Sequence, residues 1–307
     1  MSVLSFFTKI YECLHDYEHL HTKLLMPFRV FIRYTGNWIL PSYLKNHKIR
    51  RGVVNEDIIV SLTSFPTRID TVWMTICSLL QQTICPHKVI LWLSNEQFPE
   101  MAGVPQSLLD LQNDLFEIKL VPEDIRSHKK YYYAFKDYPE KIIITADDDI
   151  LYTPDMIERL MTEHNNNPSD VLCCFGVKMM YSKEGKLKPY NSWVVIPYKQ
   201  KDEDIVFFGS GGGTLFPPKL IREEVLNKEK FLQLTPTADD VWLNAMVKSS
   251  GITVKKIPFG QYFPIIKRQD EKLFHINVGE ERNDIQIRGV QEYLYSIDGK
   301  DPFGLPN

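Results

Sequence analysis

The sequence predicts an α/β fold: a mostly parallel central sheet flanked by helices, behind an N-terminal helical extension. Three observations point there. Short β-branched apolar runs recur as candidate strands, at Asp57–Thr63, Lys88–Leu93, Phe116–Val121 and Ile142–Ala146. Segments of helical spacing separate them, and strands alternating with helices favour parallel pairing through right-handed crossovers. The fourth run stops abruptly at three carboxylates, Asp147, Asp148 and Asp149, in the place where open α/β sheets bind ligands.

The elements follow in order. Phe6, Phe7, Ile10, Tyr11 and Leu14 have helical spacing, and Phe28 to Leu44 mixes aromatic and aliphatic residues with Arg29 and Arg33, with Lys45 just beyond. Residues 1–52 therefore read as a helical extension. It either packs on the domain or attaches peripherally to an anionic membrane surface. Pro66 ends the first strand. Ile69, Val72, Trp73, Ile76, Leu79 and Leu80 then mark an amphipathic helix to about Gln82. A short helix is expected near Gln106–Asn113 and another around Lys129–Lys136. Thr153-Pro154-Asp155 opens a further helix as N-cap, first-turn proline and first-turn acid. Beyond it come short strands within VLCCFG, WVVI and IVFF, then the run Gly209-Ser210-Gly211-Gly212-Gly213, read as a loop. Helices at Lys219–Leu226 and Ala238–Lys248 and a strand at Thr253–Ile257 complete a domain of residues 53–290. Residues 265–307 are polar and irregular in pattern, and 291–307 read as a tail.

Composition narrows the class. The chain has 307 residues, 44% hydrophobic and 24% charged, an ordinary globular balance. A net charge of -3 argues against a nucleic-acid partner. The five cysteines include no C-x-x-C pair, so Cys173 and Cys174 read as core thiols. No stretch of 18 apolar residues predicts a membrane span, and the N-terminus lacks the basic and uninterrupted apolar regions of a signal peptide. The expected location is cytoplasmic, with attachment to the inner face of the plasma membrane as the variant.

Three adjacent aspartates repel one another and suit a strand poorly, so a purely structural sequence would avoid them here. They imply a hard cation, Mg2+ or Mn2+, holding a phosphate. The run lacks the spacing and glycine of an EF-hand. The structural alternative is a solvated acidic turn before a helix, which a helix dipole favours. The glycine run is neither a P-loop nor a G-x-G-x-x-G, and it offers close backbone approach to a ligand. Thr237-Ala238-Asp239-Asp240 repeats the Thr-Ala-Asp-Asp wording ahead of a helix, where Asp can cap, act as a base, or both.

Six segments together carry a resemblance: Asp57–Arg68 (DIIVSLTSFPTR), Val89–Ser94 (VILWLS), Arg126–Lys130 (RSHKK), Ile144–Tyr152 (ITADDDILY), Phe208–Pro218 (FGSGGGTLFPP) and Thr235–Trp242 (TPTADDVW). Over roughly residues 55–290 the chain resembles a bacterial glycosyltransferase group related to family 2. The resemblance implies the GT-A fold of nucleotide-diphospho-sugar transferases. It also implies a nucleotide sugar donor, a glycan or lipid-linked glycan acceptor, Mn2+ or Mg2+, and a role in surface-polysaccharide synthesis such as capsule, O-antigen or exopolysaccharide.

Residue by residue, Asp147 and Asp149 match the ends of the D-x-D motif, with Asp149 expected on the metal most directly. Asp147 and Asp148 are expected on metal, water or ribose. His275 is a candidate further ligand. Thr63, Arg68, Arg126, Lys129 and Lys130 are candidate donor contacts, the cations for the diphosphate. Gly211, Gly212, Gly213 and Trp242 are candidates for the sugar or acceptor pocket. Asp239 or Asp240 matches the catalytic base of an inverting transfer, with Asp239 slightly ahead. Alternatives are a sugar nucleotidyltransferase, or a non-catalytic glycan-binding protein of a polysaccharide assembly complex.

Overall fold

The structure is a computed structural model describing residues 2–15, 22–46, 52–203, 205–260, 262–265 and 282–305. In chain order its elements are helices α1 (Val3–His15) and α2 (Thr22–Asn46), strand β1 (Val53–Thr63), α3 (Val72–Leu79), β2 (Ile84–Ser94), α4 (Gln106–Leu109), β3 (Phe116–Val121), α5 (Lys129–Asp137), β4 (Ile142–Ala146) and β5 (Ile150–Leu151). Then follow α6 (Met156–Asn166), β6 (Val171–Cys173), β7 (Gly176–Lys178), β8 (Val194–Val195), β9 (Val206–Phe208), β10 (Gly212–Phe216), α7 (Lys228–Leu234), α8 (Asp239–Ser249), β11 (Val254–Lys256), β12 (Phe263–Pro264) and α9 (Arg282–Asp298).

Seven strands form the central sheet, in the order β11-β6-β10-β4-β1-β2-β3. β1 pairs parallel with both β2 and β4, and β2 parallel with β3. Only β10 runs against its neighbours, β4 and β6. The expected α/β architecture is therefore present. Ile58, Val60 and Leu62 face one layer, with Ile76 and Leu79 of α3 and Leu160 of α6. Ile59 faces the other, with Ile90, Trp92, Ala134 and Ile143. Burial on both faces is why these strands read as continuous apolar runs rather than alternating ones.

β3 and β4 have the expected bounds, whereas β1 and β2 start earlier than their apolar runs. Their first residues pair with each other, Val53 with Ile84, although Val53 and Val54 are exposed. α6 starts at Met156, after Thr153-Pro154 rather than on it. The helix expected at Lys219–Leu226 is only a short 3-10 turn, Glu223–Leu226, and the true helix is α7. Asn227 caps α7 by accepting the amide of Lys230 at 3.2 Å.

Two corrections concern the ends of the sequence reading. The glycine run does not form a loop throughout, because Gly212 and Gly213 begin β10, in the middle of the sheet. The stretch after residue 265 is not all irregular either. α9 crosses the boundary drawn at residue 290, and Ile287, Val290, Leu294 and Phe303 enter the same core as Trp242. Only one residue in three or four of α9 is apolar on the core side, so its periodicity was diluted by the polar faces. Replacing the buried Leu294 with alanine is expected to cost about 2–5 kcal/mol, measured by urea unfolding. A loss under 0.5 kcal/mol would make 291–307 the detachable tail that the sequence suggested.

Candidate active site

β1 has β4 on one side and β2 on the other, so chain order reverses beside β1 and leaves a crevice past the strand ends. β1 delivers Ser64 and Arg68 to that crevice, and β4 delivers Asp147 to Asp149. β10 arrives antiparallel, with Gly212 opposite Ala146, which brings the preceding Gly209-Ser210-Gly211 turn to the same end. The amide of Asp147 donates to the Gly211 carbonyl at 2.8 Å, and the Tyr152 hydroxyl donates to that carbonyl at 2.5 Å. A Cβ at Gly211 would collide with the Asp147 carboxylate, so only glycine allows the turn to lie this close. Gly212 lies under the Tyr262 hydroxyl, and Gly213 turns through a φ of 76°. These glycines bring backbone against the acidic run and the tyrosine.

The three aspartates have separate partners. Asp148 is buried and accepts from Ser64 Oγ at 2.6 Å and Arg68 Nη1 at 2.8 Å, so its oxygens are taken by β1. The same Nη1 lies 3.0 Å from Asp149 Oδ2. Arg68, expected on the donor, instead ties two members of the acidic run together. Asp147 is the most open, its side chain 47% exposed against 32% for Asp149. Asp147 and Asp149 therefore suit an Mg2+ or Mn2+ ion of the kind held by one or two carboxylates plus water and phosphate oxygens. Each of the two also meets a protein cation, Asp149 the Arg68 guanidinium and Asp147 the Lys130 ammonium. Among the described residues no group of three or more His, Cys, Asp and Glu forms a metal cage. His275 lies outside the described residues.

A second acidic group closes the site from the other side. Lys130 is buried in α5, and its Nζ stands 3.1 Å from Asp147 Oδ1 and 3.2 Å from Asp239 Oδ2. Burial opposes its charge, but Asp147, Asp239 and Asp240 more than offset this and hold its pKa above the usual lysine value. α5 is fixed by the Ser61 hydroxyl, which donates to the Lys130 carbonyl and accepts from Trp92 Nε1 at 2.8 Å. Arg126 and Lys129 do not join this network. Arg126 donates to the Pro236 carbonyl at 3.2 Å on the rim, and Lys129 turns away to pair with Asp124. Thr63 is likewise spent on the sheet, donating to the Trp92 carbonyl at 2.8 Å.

Asp239 and Asp240 open α8, where their charge suits the helix dipole. Ser210 binds both: its hydroxyl donates to Asp239 Oδ2 at 2.5 Å and its amide to Asp240 Oδ1 at 2.7 Å. Burial would raise the Asp239 pKa, but Lys130 wins and holds it down at about 2. Asp240 is raised to about 6, by burial first and then by the Asp239 charge, although it keeps a solvent-facing edge. Lys130 thus holds Asp239 as an anion, while Asp240 is the member of the pair whose pKa is raised.

Sequence reading missed the supports. His128 is buried, stacked on Phe231 at 4.3 Å, and pushed down to about 4, chiefly by burial. It is therefore neutral. Nε2 donates to the Thr235 carbonyl at 2.7 Å, and Nδ1 accepts from the Tyr131 hydroxyl at 2.9 Å. That pins the loop leading into Asp239. Asn244 accepts the Phe208 amide and donates to the carbonyls of Phe208 and Asp240. The RSHKK and TPTADD strings named the neighbourhoods, but their pairing depends on contacts more than 100 residues apart in sequence.

Trp242 is a correction. It is fully buried, donates Nε1 to the Val225 carbonyl at 3.0 Å and packs between Phe231 and Tyr293, so it holds α8 in place and faces no ligand. Its neighbours left it no route to the crevice. Cys173 and Cys174 are core residues, as expected. No protein-family model matches the chain, and no curated protein matches it either.

Lys130→Met is expected to leave Asp239 buried without its cation and to cost about 3–5 kcal/mol at neutral pH, read by urea unfolding. Asp240 has a folded pKa above its unfolded one, so it binds its proton more tightly when folded. Its ionisation therefore removes stability as pH rises from the unfolded value near 4 through about 6. Asp240→Asn should abolish that loss and narrow the stability difference between the two ends of this window. An unchanged stability–pH curve would place the titration elsewhere.

Proposed function

We propose that this chain is a metal-dependent glycosyltransferase of GT-A type. It would move a sugar from a nucleotide-diphosphate donor to a glycan hydroxyl, with inversion, in surface-polysaccharide synthesis. The observation that carries this is the meeting of two acidic groups across Lys130, one open to solvent and one holding a carboxylate raised to about 6. Leaving-group departure and hydroxyl deprotonation need those two functions side by side. The resemblance of the motif set supports the substrate class.

In this reading Asp147 and Asp149 hold the cation, with Arg68 fixing Asp149. The bound metal would supply Lewis-acid neutralisation of the departing diphosphate. Five carboxylates face two cations, Arg68 and Lys130, so the crevice retains negative charge and favours a metal–diphosphate over a free diphosphate. Asp240 takes the proton of the acceptor hydroxyl on its free oxygen. The hydroxyl oxygen then forms a bond to the anomeric carbon as the bond from that carbon to the diphosphate oxygen breaks. Lys130 keeps Asp239 ionised beside it, and that charge raises the basicity of Asp240. The glycine turn supports this arrangement by letting backbone lie against the Asp147 carboxylate, where a Cβ at Gly211 would collide.

Thermal-shift titration with a panel of nucleotide-diphosphate sugars is expected to show stabilisation by one nucleotide class, dependent on Mn2+ or Mg2+ and lost in chelator. Asp149→Ala and Asp147→Ala should each lose the metal-dependent part. No stabilisation by any member would remove the donor assignment, and pyrophosphate release from nucleoside triphosphate plus sugar phosphate would favour a nucleotidyltransferase instead. For turnover, kcat is expected to rise with pH around a midpoint of about 6. Asp240→Asn should remove that limb and lower kcat by about 10²–10⁴ while donor binding survives. If only Asp239→Asn does this, the two roles are exchanged.

A further inference from the structure

The two N-terminal helices form a unit with two unlike faces. α2 packs inward through Ile32, Leu40 and Leu44, which join Leu4, Phe7 and Tyr11 of α1, Met74 and Cys77 of α3, and Leu151 and Phe263. Outward, Leu24, Phe28, Phe31, Tyr34 and Trp38 line one side at helical spacing. The first four are each more than half exposed, and Trp38 is 80% exposed. The stripe from Leu24 to Trp38 is about 21 Å long at 1.5 Å per residue. Isolated exposed apolar residues are ordinary, but a continuous aromatic stripe on one helix is not.

Charge indicates what covers it. The α2 sequence contains Lys23, Arg29, Arg33 and Lys45 and no acidic residue, within a chain of net charge -3. The acidic residues of the extension, Glu12, Asp16 and Glu18, all precede α2. Arg29 is half-buried and donates Nε to the Leu14 carbonyl of α1 at 2.9 Å, lining with Arg33, Tyr11, Met26 and Val30 a cavity of about 260 Å³ beside the stripe, whereas Arg33 and Lys45 are exposed. A second copy of the chain would bring a like-charged helix, and a soluble apolar peptide would leave the basic charge of α2 unanswered. An anionic bilayer satisfies both features. Aromatic rings enter the headgroup–acyl boundary while cations meet lipid phosphates. Among the described residues no helix is long and apolar enough to cross a membrane, so α2 would lie along the surface.

We propose that α2 is an interfacial helix that docks the protein on anionic phospholipid, with Leu24, Phe28, Phe31, Tyr34 and Trp38 inserted and the exposed Arg33 and Lys45 meeting headgroup phosphates. The seat of α2 then links the membrane to the crevice. Asn37 Nδ2 donates to the Pro264 carbonyl at 3.0 Å. Pro264 belongs to β12, paired antiparallel with β5 directly after the acidic run. The next amide, Ile265, donates to the Asp149 carbonyl at 2.9 Å. A bilayer bound at α2 thus stands at a set position relative to Asp147–Asp149. On the glycosyltransferase reading, and only on it, this selects a lipid-linked glycan as acceptor.

The test is co-sedimentation of the full chain with vesicles of phosphatidylcholine alone or with roughly 30 mol% phosphatidylglycerol. The wild-type protein should pellet with the anionic vesicles only, and added inorganic phosphate at constant ionic strength should not release it. Phe31→Glu with Trp38→Glu should reduce binding to the phosphatidylcholine level while the thermal unfolding midpoint is kept, since both side chains are exposed. Arg33→Ala and Lys45→Ala, which leave the stripe intact, should each weaken binding about fivefold. Absence of binding to anionic vesicles, or binding indifferent to Phe31→Glu with Trp38→Glu, overturns the proposal. So does a dimer in light scattering that Trp38→Glu dissociates, which would assign the face to a second copy. Sugar transfer enters none of these readouts, so vesicle docking and the proposed activity can fail separately.

Discussion

The buried ammonium of Lys130 is the interaction on which the site depends. Without a cation there, Asp147 at the end of β4 and Asp239 at the start of α8 would bring two carboxylates together in a poorly solvated place. Like charges so close would either protonate or separate. With it, the sheet end and the helix start are drawn to one point, and the surplus negative charge is left to the open edge at Asp147 and Asp149. Lys130 is itself fixed from behind, through its carbonyl, by Ser61 of β1, so the position of the ammonium is set by the central sheet.

Around that point, environment separates groups of identical chemistry. Asp148 is fully committed to Ser64 and Arg68, Asp239 to Lys130 and Ser210, and both act as anchors. Asp147 and Asp149 keep solvent-facing oxygens, and Asp240 keeps one oxygen beyond its bond to the Ser210 amide. Ser210 touches both members of the second pair, and its carbonyl accepts from Thr145 of β4, so one serine spans the two acidic groups. The antiparallel entry of β10 is what makes this reachable. A parallel strand there would deliver its leading turn to the opposite end of the sheet.

Much of the architecture was legible in the chain. β3 and β4 follow directly from their β-branched runs, and the break from Ala146 to Asp147 marks the crevice. Periodicity failed where function or length diluted it. β10 begins in glycines that have poor strand propensity but must approach Asp147, and α9 carries its apolar residues too sparsely among charged ones. The site was legible in outline. The motif strings located Arg68, Lys130, Asp147–Asp149 and Asp239–Asp240, but gave no way to tell a cation that enters the crevice, Lys130, from its neighbour Lys129, which leaves it.

The sequence by itself determined the alternation of strands and helices, the two acidic groups and the amphipathic character of the extension, because each is a local pattern of residue types. Tertiary structure alone decided which acid anchors and which stays open, that Trp242 belongs to the core, that Arg68 binds carboxylates, and that α2 turns its aromatic stripe outward. Each of these rests on partners far away in the chain, through desolvation and the distance between charges. Neither quantity exists until the chain has folded.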